Sequence, residues 1–206
     1  MPSFARWRST WTGLGVTPPA DEVYSGLIAR YEEPHRRYHT VQHLDECFAR
    51  LDEASVPVAH PYEVELALWF HDAVYDTRRP DNEAQSAALA RSEGARAGLP
   101  EAVLARLDGL IFATRHDASP VTPDATLLVD VDLAILGAPV DRFDEYERQV
   151  QAEYAWVPEP IFRRKRREIL EGFLSRPHLF GTEVFRARFE DAARPNLSRS
   201  IRALGG

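Results

Sequence analysis

The stretch Ala67-Leu68-Trp69-Phe70-His71-Asp72, continued by Ala73-Val74-Tyr75-Asp76, decides how this chain is read. It follows Pro61 and is apolar on nearly every side, which predicts a buried helix rather than a surface one. A histidine and an aspartate in such a helix need an explanation, because a buried carboxylate is costly unless it is paired or binds a metal. Helix neighbours point about 100° apart, so both can reach one ion placed over the edge between them. Burial of a hydrogen-bonded His-Asp pair is the alternative, and further ligands elsewhere in the chain must decide.

Outward from that helix the chain reads as all-α. Asp21 to Glu32 carries Val23, Leu27, Ile28 and Tyr31 at helical spacing and is stopped by Pro34. Thr40 is placed to cap a helix running to about Ala54. Asp81 is expected to cap a helix through Asn82 and Glu83 to Arg91. Further helices are expected over about Glu101 to Thr114, Ala125 to Gly137, Asp141 to Tyr154 and Glu159 to Ser175. Thr182 opens the last one, which Pro195 is expected to bend or interrupt. Met1 to Pro19 holds Trp7 and Trp11 but ends in Gly13, Gly15, Pro18 and Pro19, which break regular structure. No stretch alternates as a strand would, and no repeat is visible.

A chain of 206 residues fits one domain with a sizeable core. Its net charge of −7 argues against a general nucleic-acid or membrane-surface binder. The run Arg163-Arg164-Lys165-Arg166-Arg167 is therefore read as a solvated helix face. Cys47 is the only cysteine, which excludes an internal disulfide and a thiolate cluster. No basic leader precedes an apolar core and no apolar run would span a bilayer, so the cytoplasm is the expected location.

Three polar intrusions carry candidate chemistry: His39 with His43, His71 with Asp72, and Asp130 with Asp132. Histidine is the commonest metal ligand, and carboxylates complete sites for hard or borderline divalent ions. His39 and His43 share a face if their helix includes His39, whereas Thr40 as the cap puts His39 at its mouth. Periodicity leaves Asp130 and Asp132 open, since both have apolar neighbours.

Taken together, the ordered motifs resemble the HD superfamily of metal-dependent phosphohydrolases, and more closely a bacterial group within it. The resemblance rests on Arg37-Tyr38-His39-Thr40-Val41-Gln42-His43-Leu44, Trp69-Phe70-His71-Asp72-Ala73-Val74-Tyr75 and Asp81-Asn82-Glu83. It continues through Ala113-Thr114-Arg115-His116, Asp130-Val131-Asp132-Leu133-Ala134-Ile135-Leu136-Gly137 and Glu153-Tyr154, covering about residues 31–174. It implies a single HD-type helical bundle, with the helices between 159 and 205 packed on that core.

The resemblance implies His43, His71, Asp72 and Asp132 as metal ligands, the second aspartate of its pair being the ligand in the family. Tyr38-His39 ahead of His43 is also similar to a motif of cyclic-nucleotide phosphodiesterases, distant relatives in which the first histidine donates a proton. Thr40 stands where that motif has Asn. Two-metal members place two histidines between the His-Asp and the last Asp, and this chain has only His116, which implies one ion. The mixed imidazole and carboxylate set suits Mn, Fe, Co, Ni or Zn, and Mg less well.

Around these, Glu83 is a candidate to orient the attacking water or simply to favour a helix N-terminus. Arg36, Arg37 and Arg115 flank the motif residues and are candidates to clamp phosphate. His116 is a candidate to ligate a second ion, hold phosphate or cap a loop. The expected activity is hydrolysis of a small phosphate ester, nucleotides included, by a metal-activated water. Two alternatives stand beside it: an HD-fold iron oxygenase, and a non-catalytic nucleotide-binding or regulatory module.

Overall fold

The computed structural model describes residues 2–205, so Met1 and Gly206, the ends of the expected domain, lie outside it. The described residues form helices and connecting turns with no strand. In chain order they are α1 (Phe4–Gly13), α2 (Asp21–Tyr31), α3 (Val41–Glu53), α4 (Pro61–Phe70), α5 (Asn82–Arg96) and α6 (Glu101–Ala113). Then follow α7 (Pro123–Leu133), a 3-10 turn (Ala134–Gly137), α8 (Val140–Glu153), α9 (Glu159–Leu174), α10 (Glu183–Phe185), a π segment (Arg186–Glu190) and α11 (Asp191–Gly205). None of these helices is long and apolar enough to cross a membrane.

α4 is the axis of the core. Val64, Leu66, Ala67, Leu68, Trp69 and Phe70 are all buried, and α1, α3, α5, α6 and α7 pack around them. Trp69 meets the edge of Trp7 at 5.3 Å and the ring of Phe48 at 4.7 Å, and its indole N–H donates to Thr10 Oγ1 at 3.2 Å. Truncating a tryptophan so enclosed costs on the order of 3–5 kcal/mol.

The N-terminal segment departs from expectation. It forms α1, capped by Ser3 and with Trp7 and Trp11 completely buried. Phe4, Trp7 and Trp11 recur at helical spacing ahead of the glycines, so the breakers end a helix rather than prevent one.

α4 is also shorter than the reading of its sequence. It ends at Phe70, His71 is its C-cap, and Asp72 lies in the turn beyond. The last carbonyls of a helix need other partners: His71 Nδ1 donates to that of Leu68 at 2.8 Å, the Tyr31 hydroxyl to that of Trp69 at 3.1 Å and the Ala73 amide to that of Phe70 at 2.9 Å, and a buried arginine holds the turn beyond. Arg36 Nη1 donates to the Asp72 carbonyl at 2.7 Å and Nη2 to that of Ala73 at 3.2 Å. Thr40 is the N-cap of α3, its hydroxyl accepting from the Gln42 N–H at 3.3 Å, so His39 lies at the mouth of that helix.

Two further expectations are corrected. Asp81 occupies the N-cap of α5 without capping it, because its carboxylate accepts from Arg79 and from Gln85. Pro195 lies within a continuous α11. Its missing N–H would have bonded the carbonyl of Asp191, where the π segment gives way to α-helix, so the disruption sits upstream of the proline. Gly137 lets the 3-10 turn lie on that segment, since a Cβ there would sit 2.6 Å from the Phe189 carbonyl oxygen.

Candidate metal centre

α3 buries His43, Leu44, Cys47 and Phe48 along one stripe, which carries the His43 imidazole inward. The end of α4 delivers His71 beside it, with Asp72 one residue on. α7 delivers the last carboxylate. Residues two apart on a helix point roughly 200° apart, so Asp130 and Asp132 leave α7 on opposite sides. Asp130 accepts from the Gly181 and Thr182 amides, each at 2.7 Å, and from the Thr182 hydroxyl at 2.6 Å. Asp132 turns toward the histidines.

There, His43 Nε2 lies 3.1 Å from His71 Nε2, 3.4 Å from Asp72 Oδ2 and 3.3 Å from Asp132 Oδ1. His71 Nε2 lies 3.0 Å from Asp72 Oδ2 and 3.7 Å from Asp132 Oδ1. Donors bound about 2.1 Å from one ion are roughly 3.0 Å apart at right angles and roughly 3.4 Å apart at tetrahedral angles. The observed spacings bracket those values.

Tautomers agree with this. His71 Nδ1 lies 2.8 Å from the carbonyl of Leu68, to which it can only donate. A neutral His71 therefore aims the lone pair of Nε2 at the cluster, as a metal ligand does. Two imidazole nitrogens 3.1 Å apart repel unless a proton or a cation lies between them. The donor set fits a divalent ion.

Burial disfavours charge on all four groups, yet each is driven toward its charged form. His43 and His71 are raised well above the usual imidazole range by the carboxylates and other neighbours around them, and Asp72 and Asp132 fall well below theirs beside the imidazoles. In the ion-free state the cluster thus holds protons that a bound cation would displace.

A fifth donor is present that the sequence reading set aside. Cys47, one turn beyond His43, groups with His43, His71 and Asp132, their ligand atoms all within 4.8 Å of one another. Its sulfur is 3.7 Å from both nitrogens of His43, farther than Asp72 Oδ2. Only Asp72 and Asp132 among these residues reach a cavity of about 980 Å³; the histidines and Cys47 lie beneath it.

The same cavity receives His39, Glu83, Arg115 and His116. His39 is held by a residue to which the sequence reading gave no role. Glu153, at the end of α8, accepts His39 Nδ1 at 2.8 Å and the Tyr75 hydroxyl at 2.9 Å on Oε2. Its Oε1 accepts the amides of Arg37, Tyr38 and His39 at 2.8, 2.8 and 3.0 Å. Burial alone would raise this carboxylate, but His39 and the amides hold it down to about 2. Being ionised, it can only accept, so His39 donates from Nδ1 and leaves Nε2 for the cavity. Tyr75 stacks on the imidazole at 4.1 Å.

His116 Nε2 lies 3.0 Å from Asp132 Oδ2 and so braces the outer oxygen of that aspartate. The flanking arginines divide. Arg36 is buried and occupied by Glu33 and by the carbonyls of His39, Asp72 and Ala73, which removes it from any phosphate clamp. Arg37 bonds the carbonyls of Pro34 and Arg36 and lies outside the cavity lining. Arg115, paired with Asp117 at 3.3 Å, does line it.

The basic run on α9 is not wholly solvated. Arg166 is buried against Tyr146 and bonds its hydroxyl at 2.6 Å and Glu147. No family model, curated protein or solved structure matches the chain. What stands on geometry is an all-α protein with a His/Cys/His/Asp group, largely buried, able to hold a metal ion and opening through Asp132, with Asp72 beside it, onto a cavity.

Proposed function

We propose that the chain is a metal-dependent phosphohydrolase of the HD type, acting on a small phosphate ester. One observation carries the reading: His43, the adjacent pair His71 and Asp72, and Asp132, from three separate helices or their ends, converge at ligand spacing under a large cavity that also receives His39. His43, His71, Asp72 and Asp132 would hold a divalent ion, which would supply Lewis-acid polarisation of a phosphoryl oxygen and a more acidic water.

The chain's own groups do the rest. Asp72 and Asp132, which reach the cavity floor, would hold the ion there, and its charge would offset their repulsion of the phosphate. His39, its Nδ1–H committed to Glu153, turns Nε2 to the cavity; as the imidazolium it would give the Nε2 proton to the departing alkoxide and be left neutral, with Nδ1–H still on Glu153. Arg115 on the lining offsets negative charge that grows on the phosphoryl oxygens. Glu83, at the first turn of α5 and on the same lining, is the group available to orient water.

Cys47 supports a second reading, a closed structural zinc site of His43, Cys47, His71 and Asp132. Asp72 favours the first, because it is nearer His43 and keeps the site open to the cavity. The test is a panel of phosphate esters, nucleotides among them, assayed with purified, metal-analysed protein. Roughly one transition-metal ion per chain is expected, with phosphate released from some esters and none released after His71→Ala or Asp72→Ala. Metal-loaded protein that hydrolyses no ester with Mn, Fe, Co, Ni or Zn would overturn the reading.

A further inference from the structure

Cations reach the cavity lining from several elements, and their counter-charges tell them apart. Arg79 pairs with Asp81 at 2.9 Å, Lys165 with Glu168 at 2.8 Å, Arg115 with Asp117 at 3.3 Å, and Arg166 with Glu147. Arg176, also on the lining, forms no ion pair with a carboxylate among the described residues. It follows α9 directly and rests over the Phe173 ring at 4.7 Å. One N–H, from Nη2, donates to the His116 carbonyl at 2.8 Å. A guanidinium has five such donors in a planar fork, so most of this one faces no protein acceptor.

Partial burial lowers the pKa of Arg176, and no neighbouring charge offsets it. A cation drawn out of water without a counter-charge is unfavourable unless a ligand brings one. The position of Arg176 says which ligand. His116, whose carbonyl it holds, adopts φ 57, the left-handed region that non-glycine residues rarely enter. That turn directs one end of His116 to Arg176 and the other to Asp132, with Nε2 3.0 Å from Asp132 Oδ2. Arg176 is thus tied to the metal centre through a single residue. In a chain of net charge −7, an uncompensated arginine on this wall is a local anion site.

We propose that Arg176 is the phosphate-binding residue of the cavity, gripping the substrate's phosphate group beside the metal centre; this rests on the phosphohydrolase reading. Planar guanidinium donors match phosphate oxygens in pairs. Arg176 would therefore fix orientation as well as supply charge.

The test titrates inorganic phosphate into the metal-loaded full chain, followed by calorimetry. Arg176→Gln should weaken phosphate binding roughly 10- to 100-fold, the range for losing hydrogen bonds to a charged group. Arg176→Lys should fall between the two. Arg167→Gln, exposed on α9 and paired with Glu171 at 2.7 Å, serves as the control and should change nothing. Metal content and melting temperature are measured on each variant.

A second measurement needs no variant. Phenylglyoxal should modify Arg176 in the free protein, and phosphate should protect it, as read by peptide mass. Unchanged affinity in folded Arg176→Gln, equal modification with and without phosphate, or a wild-type chain that binds no phosphate would each overturn the proposal. Phosphate binding is read here without turnover. A chain that binds phosphate through Arg176 but hydrolyses no ester would keep this site and lose the phosphohydrolase reading.

Discussion

Glu153 and His39 stand 114 residues apart in sequence and share a 2.8 Å hydrogen bond, Nδ1 to Oε2. The same carboxylate gathers three consecutive amides leading into His39, so it sets both the backbone entering α3 and the rotation of the imidazole. That arrangement makes the first two predictions.

The first concerns acid stability. A carboxyl group whose pKa falls from 4.5 unfolded to about 2 folded stabilises the native state above pH 4.5. The contribution is on the order of 3 kcal/mol and is lost as pH falls from about 4.5 toward 2. Denaturant unfolding of wild type and Glu153→Gln across that window should show the difference between them shrinking as pH drops. Curves that stay parallel would mean the carboxylate is not held as described.

The second concerns the leaving group. If His39 donates the proton, His39→Ala should keep its metal and fold but lose roughly 10²–10⁴-fold in turnover of esters with poor leaving groups. It should retain much of its rate on p-nitrophenyl phosphate, whose leaving group needs little protonation. Glu153→Gln should show the same pattern more weakly. Loss of bound metal in His39→Ala would make it a ligand instead.

The third separates the two aspartates of α7. Asp132→Ala should purify without its ion and without activity. Asp130→Ala should keep its ion but melt earlier, because the buried amides of Gly181 and Thr182 lose their acceptor, a cost of about 1–3 kcal/mol for such a group. The opposite ranking of metal content would reassign the ligand.

The fourth decides between Asp72 and Cys47. The cobalt-substituted protein should lack the intense near-ultraviolet band of thiolate-to-cobalt charge transfer, and Cys47→Ala should retain its ion. A thiolate band that disappears in Cys47→Ala would place the sulfur on the metal and favour the closed structural site.

Much of this was legible in the residues themselves. Helical periodicity and the Thr40 cap are local properties, and they put His43 on the inner stripe of α3 while leaving His39 just outside it. The rest depends on contacts across the chain. Beyond Phe70, where α4 ends, Arg36 from the loop before α3 holds the carbonyls of Asp72 and Ala73, and no local signal at His71 records that. Arg166 sits inside a basic run, and only Tyr146 and Glu147 across from it show that one member of the run turns inward. Glu153 belongs to a stretch that carries the resemblance, yet has no role until its five donors are assembled in space. Arg176 lies just past the region the resemblance covers, where nothing in the sequence marks it.

Arg36 has one more consequence. A single rigid, flat group spans Glu33, the carbonyl of His39 and the carbonyl of Asp72, so the separation between the proposed proton donor and a proposed ligand is gauged by one side chain. Lysine at that position would preserve the charge and lose the gauge, because an ammonium on a flexible stem cannot hold two peptide segments at a fixed offset. Drift between donor and ion would then show as a broad spread of reaction geometries, in a protein that still folds and still carries its metal.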